Sequence, residues 1–242
     1  MTIRLCCWIR STIGILSFFS IVGTSTLFTN KVVAQITPDA SLGAESSRVK
    51  PLNHLLERID GGAIRGTCLF HSFQDFNIKE GRGAYFSNPT GIENIIGRVT
   101  GENYSQILGT LGVLGNANLY FLNPIGIIFG QNSRLDINGS FSASTNSLIL
   151  SDGSKFGSTV SQEKPLLTVN LVKPIGFDIE VEKRNTTITN TGNLSVGQDL
   201  TFVAENIDLQ GKLQAGRDLT LQAQDTVKIR DSATNPYIAQ SG

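Results

Sequence analysis

The sequence has little charge and no surplus of either sign. Only 17% of its 242 residues are charged, and 20 basic side chains balance 20 acidic ones. Proteins that bind nucleic acid need a basic surface that displaces counterions from phosphates, so the composition argues against a nucleic-acid partner. Conversely, 40% of the residues are hydrophobic, which is too many for a wholly disordered chain. The composition therefore predicts a folded domain with no nucleic-acid partner.

Cysteine and histidine are also scarce. Cys6 and Cys7 lie near the N-terminus, which leaves Cys68 for the rest of the chain, and a single cysteine cannot form an internal disulfide. We expect a buried Cys68 and a domain held together by packing and hydrogen bonds. Neither His54 nor His71 lies at a spacing typical of a zinc site or a catalytic base. We therefore predict no metal, no cofactor and no catalytic residue.

The N-terminal segment has the features of a secretory signal peptide. Arg4 and Arg10 precede an uncharged, largely apolar run over 11–30, and small residues then lead to Ala34. Cleavage after Ala34, which makes 1–34 the signal peptide, leaves 208 residues with 17 basic and 20 acidic side chains. The alternative is a retained membrane anchor, because a run of about 20 residues just spans a bilayer. Ser, Thr and Gly within the run favour removal, so we expect no stable membrane span after processing.

The end of the chain repeats itself. Residues 192–202 align with 211–221 at an offset of 19, and Gly, Leu, Gly, Asp, Leu and Thr all recur. Apolar and polar residues alternate within each copy, as in the run Leu200-Thr201-Phe202, which is the pattern of a half-buried strand. A unit of about 19 residues with two or three short strands is typical of one coil of a β-solenoid. The repeat therefore predicts stacked coils.

The same alternation occurs upstream, separated by turn residues. Asn-Gly at 138–139 and Asp-Gly at 152–153 supply the positive φ that tight corners need. We therefore predict an all-β fold, a right-handed parallel β-helix. Because the ends of such a stack expose strand edges, we expect 36–66 to form an N-terminal cap. The apolar spacing over 52–59 leaves two alternatives open, one or two helical turns or none.

The central segment over 109–130, GTLGVLGNANLYFLNPIGIIFG, resembles the N-terminal secretion domain of filamentous haemagglutinin, found in two-partner-secreted exoproteins. Flanking segments resemble the same family at 60–66, 69–73, 91–95, 98–101 and 139–145. The resemblance implies a haemagglutinin-type secretion (TPS) domain with its cap over 35–170. It also implies further β-helix coils over 171–242, truncated before the passenger that family members carry.

Two family motifs fall in this segment. The first, Asn-Pro-Asn-Leu, corresponds to 116–119 with Ala117 in place of Pro, and the second, Asn-Pro-Asn-Gly-Ile, corresponds to 123–127 with Ile125 in place of the second Asn. The secretion-motif residues that match are Asn116, Asn118, Leu119, Asn123, Pro124, Gly126 and Ile127. They could build turns, contact a partner directly, or both, and the effect of Ile125 on recognition stays open.

Both strands around these motifs are apolar on both faces. The strand over 119–122 and the strand over 127–129 each need cover on their outer side. We expect small extra-helical β elements to supply it, or else a partner surface.

The resemblance implies a route and a partner. After removal of the signal peptide the exoprotein crosses the periplasm unfolded, and POTRA-type periplasmic domains of an outer-membrane β-barrel transporter recognise its secretion domain. The chain then folds outside, so the expected localisation is extracellular or at the outer-membrane surface. Adhesion to host or neighbouring cells or to glycans, through a solenoid face, is the alternative.

An enzyme is the third class considered, because β-helices also host polysaccharide lyases and hydrolases. Such sites need clustered carboxylates, and Asp178, Glu180 and Glu182 share one face of a predicted strand. A solvated strand face explains these acids as well. We therefore predict that the protein is not an enzyme.

Overall fold

The structure, a computed structural model, describes residues 36–157, 174–179 and 185–230, with the backbone of 239–240. Strands dominate these residues, and a short 3-10 turn spans Gly43–Glu45. The strands are β1 (Ile36–Pro38), β2 (Ser47–Pro51), β3 (Leu56–Gly61), β4 (Ala63–Arg65), β5 (Cys68–Phe76), β6 (Gly83–Ser87), β7 (Asn94–Val99), β8 (Ser105–Ile107), β9 (Thr110–Leu114), β10 (Asn118–Leu122), β11 (Gly126–Phe129), β12 (Arg134–Asp136), β13 (Phe141–Ser144), β14 (Leu148–Leu150), β15 (Lys155–Phe156), β16 (Pro174–Phe177), β17 (Thr187–Asn190), β18 (Leu194–Val196), β19 (Leu200–Leu209), β20 (Leu213–Ala215), β21 (Leu219–Ile229) and β22 (Ala239–Gln240).

Parallel strands wind into three faces. The first face pairs β5, β7, β10, β13, β19 and β21 in parallel, each strand with the one from the next coil. The second face pairs β8, β11, β17 and the far ends of β19 and β21. The third face contains β3, β6, β9 and β12, and a separate sheet with β18, β20 and β22. Consecutive strands of the chain lie on successive faces, which is the arrangement of a parallel β-helix. The predicted fold class is confirmed.

In-register pairing explains the core. Positions that point inward stack directly over one another, so an apolar residue recurs at the same point of each coil. One such ladder on the first face is Leu69, Ile95, Leu119, Phe141, Leu200 and Leu219. A second ladder mixes large and small residues, His71, Gly97, Phe121, Ala143 and Phe202. Large rings fit because a small residue precedes or follows them in the stack.

The C-terminal repeat has the predicted register. Leu200 pairs with Leu219 and Leu194 with Leu213, both at the 19-residue offset found in the sequence. Beyond Ala204 the pairing of β19 with β21 shifts, and Asn206 pairs with Thr226. The extra residue lies on β21, where Gln224 and Asp225 together oppose the single residue Glu205 of β19. The Glu205 carboxylate accepts hydrogen bonds from the backbone N–H groups of Asn185 and Thr186, where the chain re-enters the helix.

Antiparallel strands close the N-terminal end of the helix. β1 lies along β5 and β2 lies along β3, both antiparallel, so the first coil does not end in a bare parallel edge. Within this cap the helical alternative over 52–59 is wrong. The Asn53 side-chain oxygen accepts hydrogen bonds from the N–H groups of Leu55 and Leu56, at 2.8 and 2.9 Å, which fixes a turn. The strand β3 then begins at Leu56.

A small antiparallel sheet covers the outside of the first face. β14 pairs with β15 and β16, and its apolar side packs on outward residues of the first coils. The residues of this second core include Phe70, Ile96, Leu122, Leu148 and Phe156. The apolar outer sides of the central strands predict such extra-helical elements, and the structure places this sheet over β10. On β11 the outward Ile128 is half-buried and does not belong to this second core.

Candidate functional site

The first motif forms the corner that leads into β10. Asn118 lies between two coils: its Nδ2 donates to Asn94 Oδ1 at 3.0 Å, and its Oδ1 accepts from the Ser140 N–H at 2.9 Å. Each of these residues precedes or begins a strand of the first face, so the amide joins three successive corners. Leu119 is fully buried in the interior ladder. Both side chains therefore serve the stacking of coils.

The missing proline of the first motif is compensated locally. Ala117 is buried, and its backbone N–H, which a proline would lack, needs an acceptor. With the Asn88 amide oriented with its oxygen toward the corner, that oxygen accepts from the N–H groups of Asn116 and Ala117, at 3.2 and 3.1 Å. The Asn116 side chain is exposed and accepts a hydrogen bond from Asn138 Nδ2 at 3.2 Å.

The second motif forms the corner between β10 and β11 around a buried amide. Asn123 is fully buried, and its Nδ2 donates to the Asn103 carbonyl at 3.0 Å and to Ser105 Oγ at 2.9 Å. Its Oδ1 accepts from the Ile125 N–H at 2.9 Å, which closes a turn on its own backbone. Because a backbone N–H makes this bond, the turn survives the replacement of Asn by Ile125.

Gly126 is required by both conformation and space. Its φ of +140° is one that other residues rarely adopt. A Cβ at this position would lie 2.8 Å from the Thr187 carbonyl oxygen and 2.6 Å from Cε1 of Tyr104. Ile127, next in the chain, is fully buried in the interior. The corner can therefore form only with glycine.

Few motif groups reach the surface. Asn116 is exposed, and Asn118, Pro124 and Ile125 are half-buried. Tyr104, which rests on Gly126, is 47% exposed. We call Asn116, Asn118, Pro124, Ile125 and Tyr104 the motif patch, because they are the residues of both corners that another molecule could touch.

A buried arginine joins the cap, the coils and the outer sheet, and sequence reasoning missed it. Arg98 is 1% exposed, its Nε donates to Ser72 Oγ and its Nη2 to Ser41 Oγ, both at 2.9 Å. Its Nη1 donates to the Gly157 carbonyl at 2.8 Å, and its guanidinium carbon lies 4.3 Å from the centre of the Phe156 ring. No sequence signal marks this position apart from its place in a family-like segment.

Asp39 supplies the negative charge for this network. Its carboxylate accepts hydrogen bonds from the hydroxyls of Ser41, Ser72 and Thr100, at 2.6 to 2.7 Å. Burial opposes ionisation, but these hydrogen bonds outweigh it and hold the pKa of Asp39 below its ordinary value. Burial lowers the pKa of Arg98 to about 10, with Asp39 opposing the shift. Both groups stay charged near neutral pH.

Cys68, which is buried as the sequence predicts, and His71, which is buried as well, are both chemically inert. Burial raises the pKa of the Cys68 thiol to about 11 and lowers the pKa of His71 to about 3. His71 Nδ1 lies 3.0 Å from Ser47 Oγ, while Nε2 has no hydrogen-bond partner among the residues that the structure describes. A thiol and an imidazole in these states are neutral at physiological pH, so neither is an activated nucleophile or base.

The acidic candidate for catalysis is only partly described. Asp178 forms an ion pair with Lys155, while Glu180 and Glu182 lie outside the described residues. Within 36–157, 174–179 and 185–230, no group of three His, Cys, Asp or Glu side chains could hold a metal ion. No helix within those ranges is long and apolar enough to cross a membrane.

A known protein family matches this chain. A family model described as the TPS secretion domain matches residues 34–241. The chain belongs to this family. The family's domain is a non-enzymatic secretion domain, carried by exported exoproteins that depend on a partner transporter. The resemblance found in the sequence is confirmed.

The chain is similar to a curated protein and to a solved structure. A heme/hemopexin-binding protein of Haemophilus influenzae is 26% identical over 159 residues, which cover 59% of this chain and 17% of the relative. This chain therefore spans a small part of that protein's length. The crystal structure of the filamentous hemagglutinin secretion domain aligns with 86% of this chain and 99% of its own, at 16% identity and a TM-score of 0.41.

Proposed function

We propose that this domain is the export signal of a two-partner-secreted exoprotein. In this proposal 1–34 directs the chain into the periplasm and is removed after Ala34. POTRA-type periplasmic domains of an outer-membrane β-barrel transporter then bind the unfolded secretion domain, and the chain passes outward to the cell surface or medium. Membership of the TPS secretion domain family supports the transporter, and the leader-like N-terminal sequence supports the first step.

The fold suits export in an unfolded form. Each coil packs on its neighbours, so coils can form one after another as the chain emerges. Cys68 is the only cysteine after residue 34 and cannot close a disulfide loop that would block passage. Folding outside removes the unfolded chain from the equilibrium and so opposes return through the transporter.

The observation that carries the proposal is the internal use of the motif residues. The side-chain amides of Asn118 and Asn123 form hydrogen bonds with residues of neighbouring coils, and there is no space for a side chain at Gly126. Of the motif residues, only those in the motif patch are accessible to a transporter on the folded domain. We therefore assign the motifs to building the corners that allow coils to stack outside the cell, with recognition preceding folding.

Secretion of matched variants tests this assignment. The full chain is co-expressed with its cognate transporter, and the culture medium is assayed for Asn123→Ala and Asn116→Ala. We expect Asn123→Ala to reduce the amount of protease-resistant product strongly, because it breaks three hydrogen bonds, and Asn116→Ala to resemble the parent.

The same variants, purified without the leader and refolded, separate folding from recognition. If Asn123→Ala is as stable as the parent but is not secreted, its role is contact with the transporter and the corner assignment is wrong. If neither variant changes secretion or stability, the motif has no part in export.

A further inference from the structure

An aromatic ring lies flat on the outer side of the third face. Tyr85 is on β6 and points outward, since its neighbours Ala84 and Phe86 are buried in the core. A Cβ at Gly112, its register partner on β9, would lie 2.4 Å from Cε1 of the ring. A Cβ at Gly83 would lie 3.2 Å from Cε2. The two glycines form a floor under both edges of the ring.

This floor leaves the other side of the ring toward solvent. Tyr85 is half-buried, and a side chain other than glycine at 112 would lift the ring out of its present position. The phenol interacts with Asp136 on β12, which is the next residue in the same cross-strand row. The ring is thus held at one end and presents a flat aromatic surface.

Basic side chains surround the ring. Arg58 pairs with Tyr85 in register, and Lys50 on β2 pairs with Arg58, so both lie in the ring's row. Arg48 and Arg134 lie in the neighbouring rows and are exposed. The acids of the face are Asp60 and Asp136. Glu57 of β3 is half-buried, and its side chain points to the opposite side of that strand from Arg58.

Four basic groups therefore face two acidic ones across this surface, although the whole chain has a formal net charge of +0. Asp60 is within 3.7 Å of Lys50 and 2.9 Å of Arg58. The excess positive charge lies around an aromatic ring, although the chain after residue 34 has 17 basic and 20 acidic side chains. The face is positively charged because the strands bring these basic residues together, and the overall composition, with equal numbers of basic and acidic residues, does not indicate it.

The surface is large enough for several units of a linear ligand. The outer antiparallel sheet of β14 to β16 packs on the first face, so it does not cover this one. From β2 to β12 the row crosses four strand spacings, about 19 Å at roughly 4.8 Å each. We call the outward residues Lys50, Arg58, Tyr85, Asp136 and Arg134 the platform.

We propose that the platform binds an anionic polysaccharide, with one pyranose ring stacked on Tyr85 and its carboxylate or sulfate groups paired with Arg58 and Arg134. A sugar ring has an apolar face that suits a flat aromatic surface, and its acidic groups suit guanidinium forks. The inference goes beyond export, because it assigns a binding site to the folded domain. It gives a physical site to the adhesion alternative predicted from the sequence.

The geometry favours a glycan over other partners. A protein interface centres on a desolvated apolar pocket. The large apolar side chains near the ring on this face are the half-buried Leu56, whose Cδ2 would be 2.8 Å from a Cβ at Gly83, and Leu114, which is 43% exposed. Single-stranded nucleic acid needs successive aromatic rings for successive bases, and the cross-strand row holds a single ring. A ring on a flat, charged surface matches a polysaccharide chain best.

Binding of defined oligosaccharides to the purified chain without its leader tests the proposal. The probes are a tetramer of galacturonic acid, its methyl ester and inorganic sulfate, with isothermal titration calorimetry at two salt concentrations. We expect the acid tetramer to bind more tightly than the ester, with an affinity that falls as salt rises.

Variants of the ring distinguish binding from sheet packing. Tyr85 also covers two glycines, a structural role that Tyr85→Phe retains and that Tyr85→Leu retains in part. We expect Tyr85→Phe to bind within about threefold of the parent and Tyr85→Leu to lose about tenfold or more, while thermal unfolding shows both folded. Arg58→Gln should weaken the acid tetramer, and Arg217→Gln, which removes a charge at another corner, should not.

Other outcomes overturn the proposal. Equal binding of acid tetramer and ester, no binding of either, or binding of inorganic sulfate alone would remove the stacking site. Tighter binding of single-stranded DNA than of the tetramer would assign the face to nucleic acid instead. Loss of affinity in Tyr85→Leu that matches loss of folded protein would leave the ring a purely structural role and refute the site.

Discussion

The first coils and the last coils of the helix solve the same packing problem in different ways. Outward positions of the first face hold Phe70, Ile96 and Tyr120 in the early coils, and the outer sheet covers them. The equivalent positions of the later coils hold Thr201 and Thr220, which face solvent. An apolar outer side therefore goes with a covering sheet, while a polar one lets coils repeat without cover.

Coil length follows the same division. The register offset is 26 residues from Leu69 to Ile95, 24 from there to Leu119 and 22 from there to Phe141. It is 19 from Leu200 to Leu219. The early coils carry extra corner residues, including the secretion motifs, and the late coils carry only what closes a coil. The coils of unequal length are therefore the ones that contain the secretion motifs.

Removing a ring from a closed coil should have the largest effect. Phe121→Ala deletes a fully buried side chain that packs between Gly97 and Ala143, and we expect it to cost about 4 kcal/mol of unfolding free energy. Leu221→Ala, on the same ladder in the last described coil, is only half-buried and should cost clearly less. Urea denaturation of both variants measures the ratio. Equal losses would mean that the ends of the stack are as well packed as its middle.

Breaking the buried charge network should rank next. Arg98→Ala leaves Asp39 without its cation, and we expect a loss of about 3 kcal/mol together with faster proteolysis of the cap. Arg217→Ala breaks an exposed ion pair with Asp199 in the late coils, and its denaturation midpoint should not change measurably. A neutral result for Arg98→Ala would show that the network does not hold the early coils together.

Acid should destabilise the early coils through His71. Its pKa is about 3 when folded and 6.5 when unfolded, so below pH 6.5 the unfolded chain binds a proton that the folded chain excludes. Unfolding free energy then falls as pH drops, by at most about 1.4 kcal/mol per pH unit, or about 2 kcal/mol at pH 5. The lowered pKa of Asp39 adds a further loss only below its unfolded value of 3.8.

His71→Gln provides the control for this pH dependence. The variant places an amide near Ser47 and removes the imidazole that takes up a proton on unfolding, so its stability should depend less on pH between 7 and 5. Denaturation at pH 7, 6 and 5 compares it with the parent. A parent that is equally stable at all three values would contradict the buried, neutral state of His71.

The smallest effect should come from the motif amides. Asn123→Ala leaves Ser105 and two backbone groups without a buried partner, and we expect a loss of about 1.5 kcal/mol. Asn116→Ala removes an exposed side chain with one long hydrogen bond and should change stability by no more than about 0.5 kcal/mol. Thermal unfolding separates them. A larger loss of unfolding free energy in Asn116→Ala than in Asn123→Ala would mean that the first corner contributes more to stability than the second.

The pattern of apolar and polar residues in the sequence predicts most of the fold. Alternation and the 19-residue offset predict strands and stacked coils, because the same residue must face inward at the same point of each coil. The apolar central strands also predict a covering element, although not which segment supplies it. The helical alternative over 52–59 failed because four apolar residues at helical spacing carry less weight than the hydrogen bonds of Asn53 and strand pairing of β3.

Sites are predicted less well than strands. The motif residues were found through resemblance, but the burial of Asn123 and the steric need for Gly126 depend on Ser105, Tyr104 and Thr187 in other coils. Arg98 looks like a solvated strand residue in the sequence. Its partners Ser41 and Gly157 lie more than fifty residues away on either side, and no local pattern encodes them.

The sequence by itself determined the all-β class, the coil repeat and the family, since these follow from which residue types recur at which spacing. The tertiary structure alone decided where the buried charges lie, how a bulge in β21 opposite Glu205 changes the register, and that a tyrosine rests on two glycines among basic side chains. The spacing at which apolar residues recur in the sequence determines which side of a strand each side chain faces. The environment of that side chain depends on neighbours that are far away in the sequence and that only folding brings together.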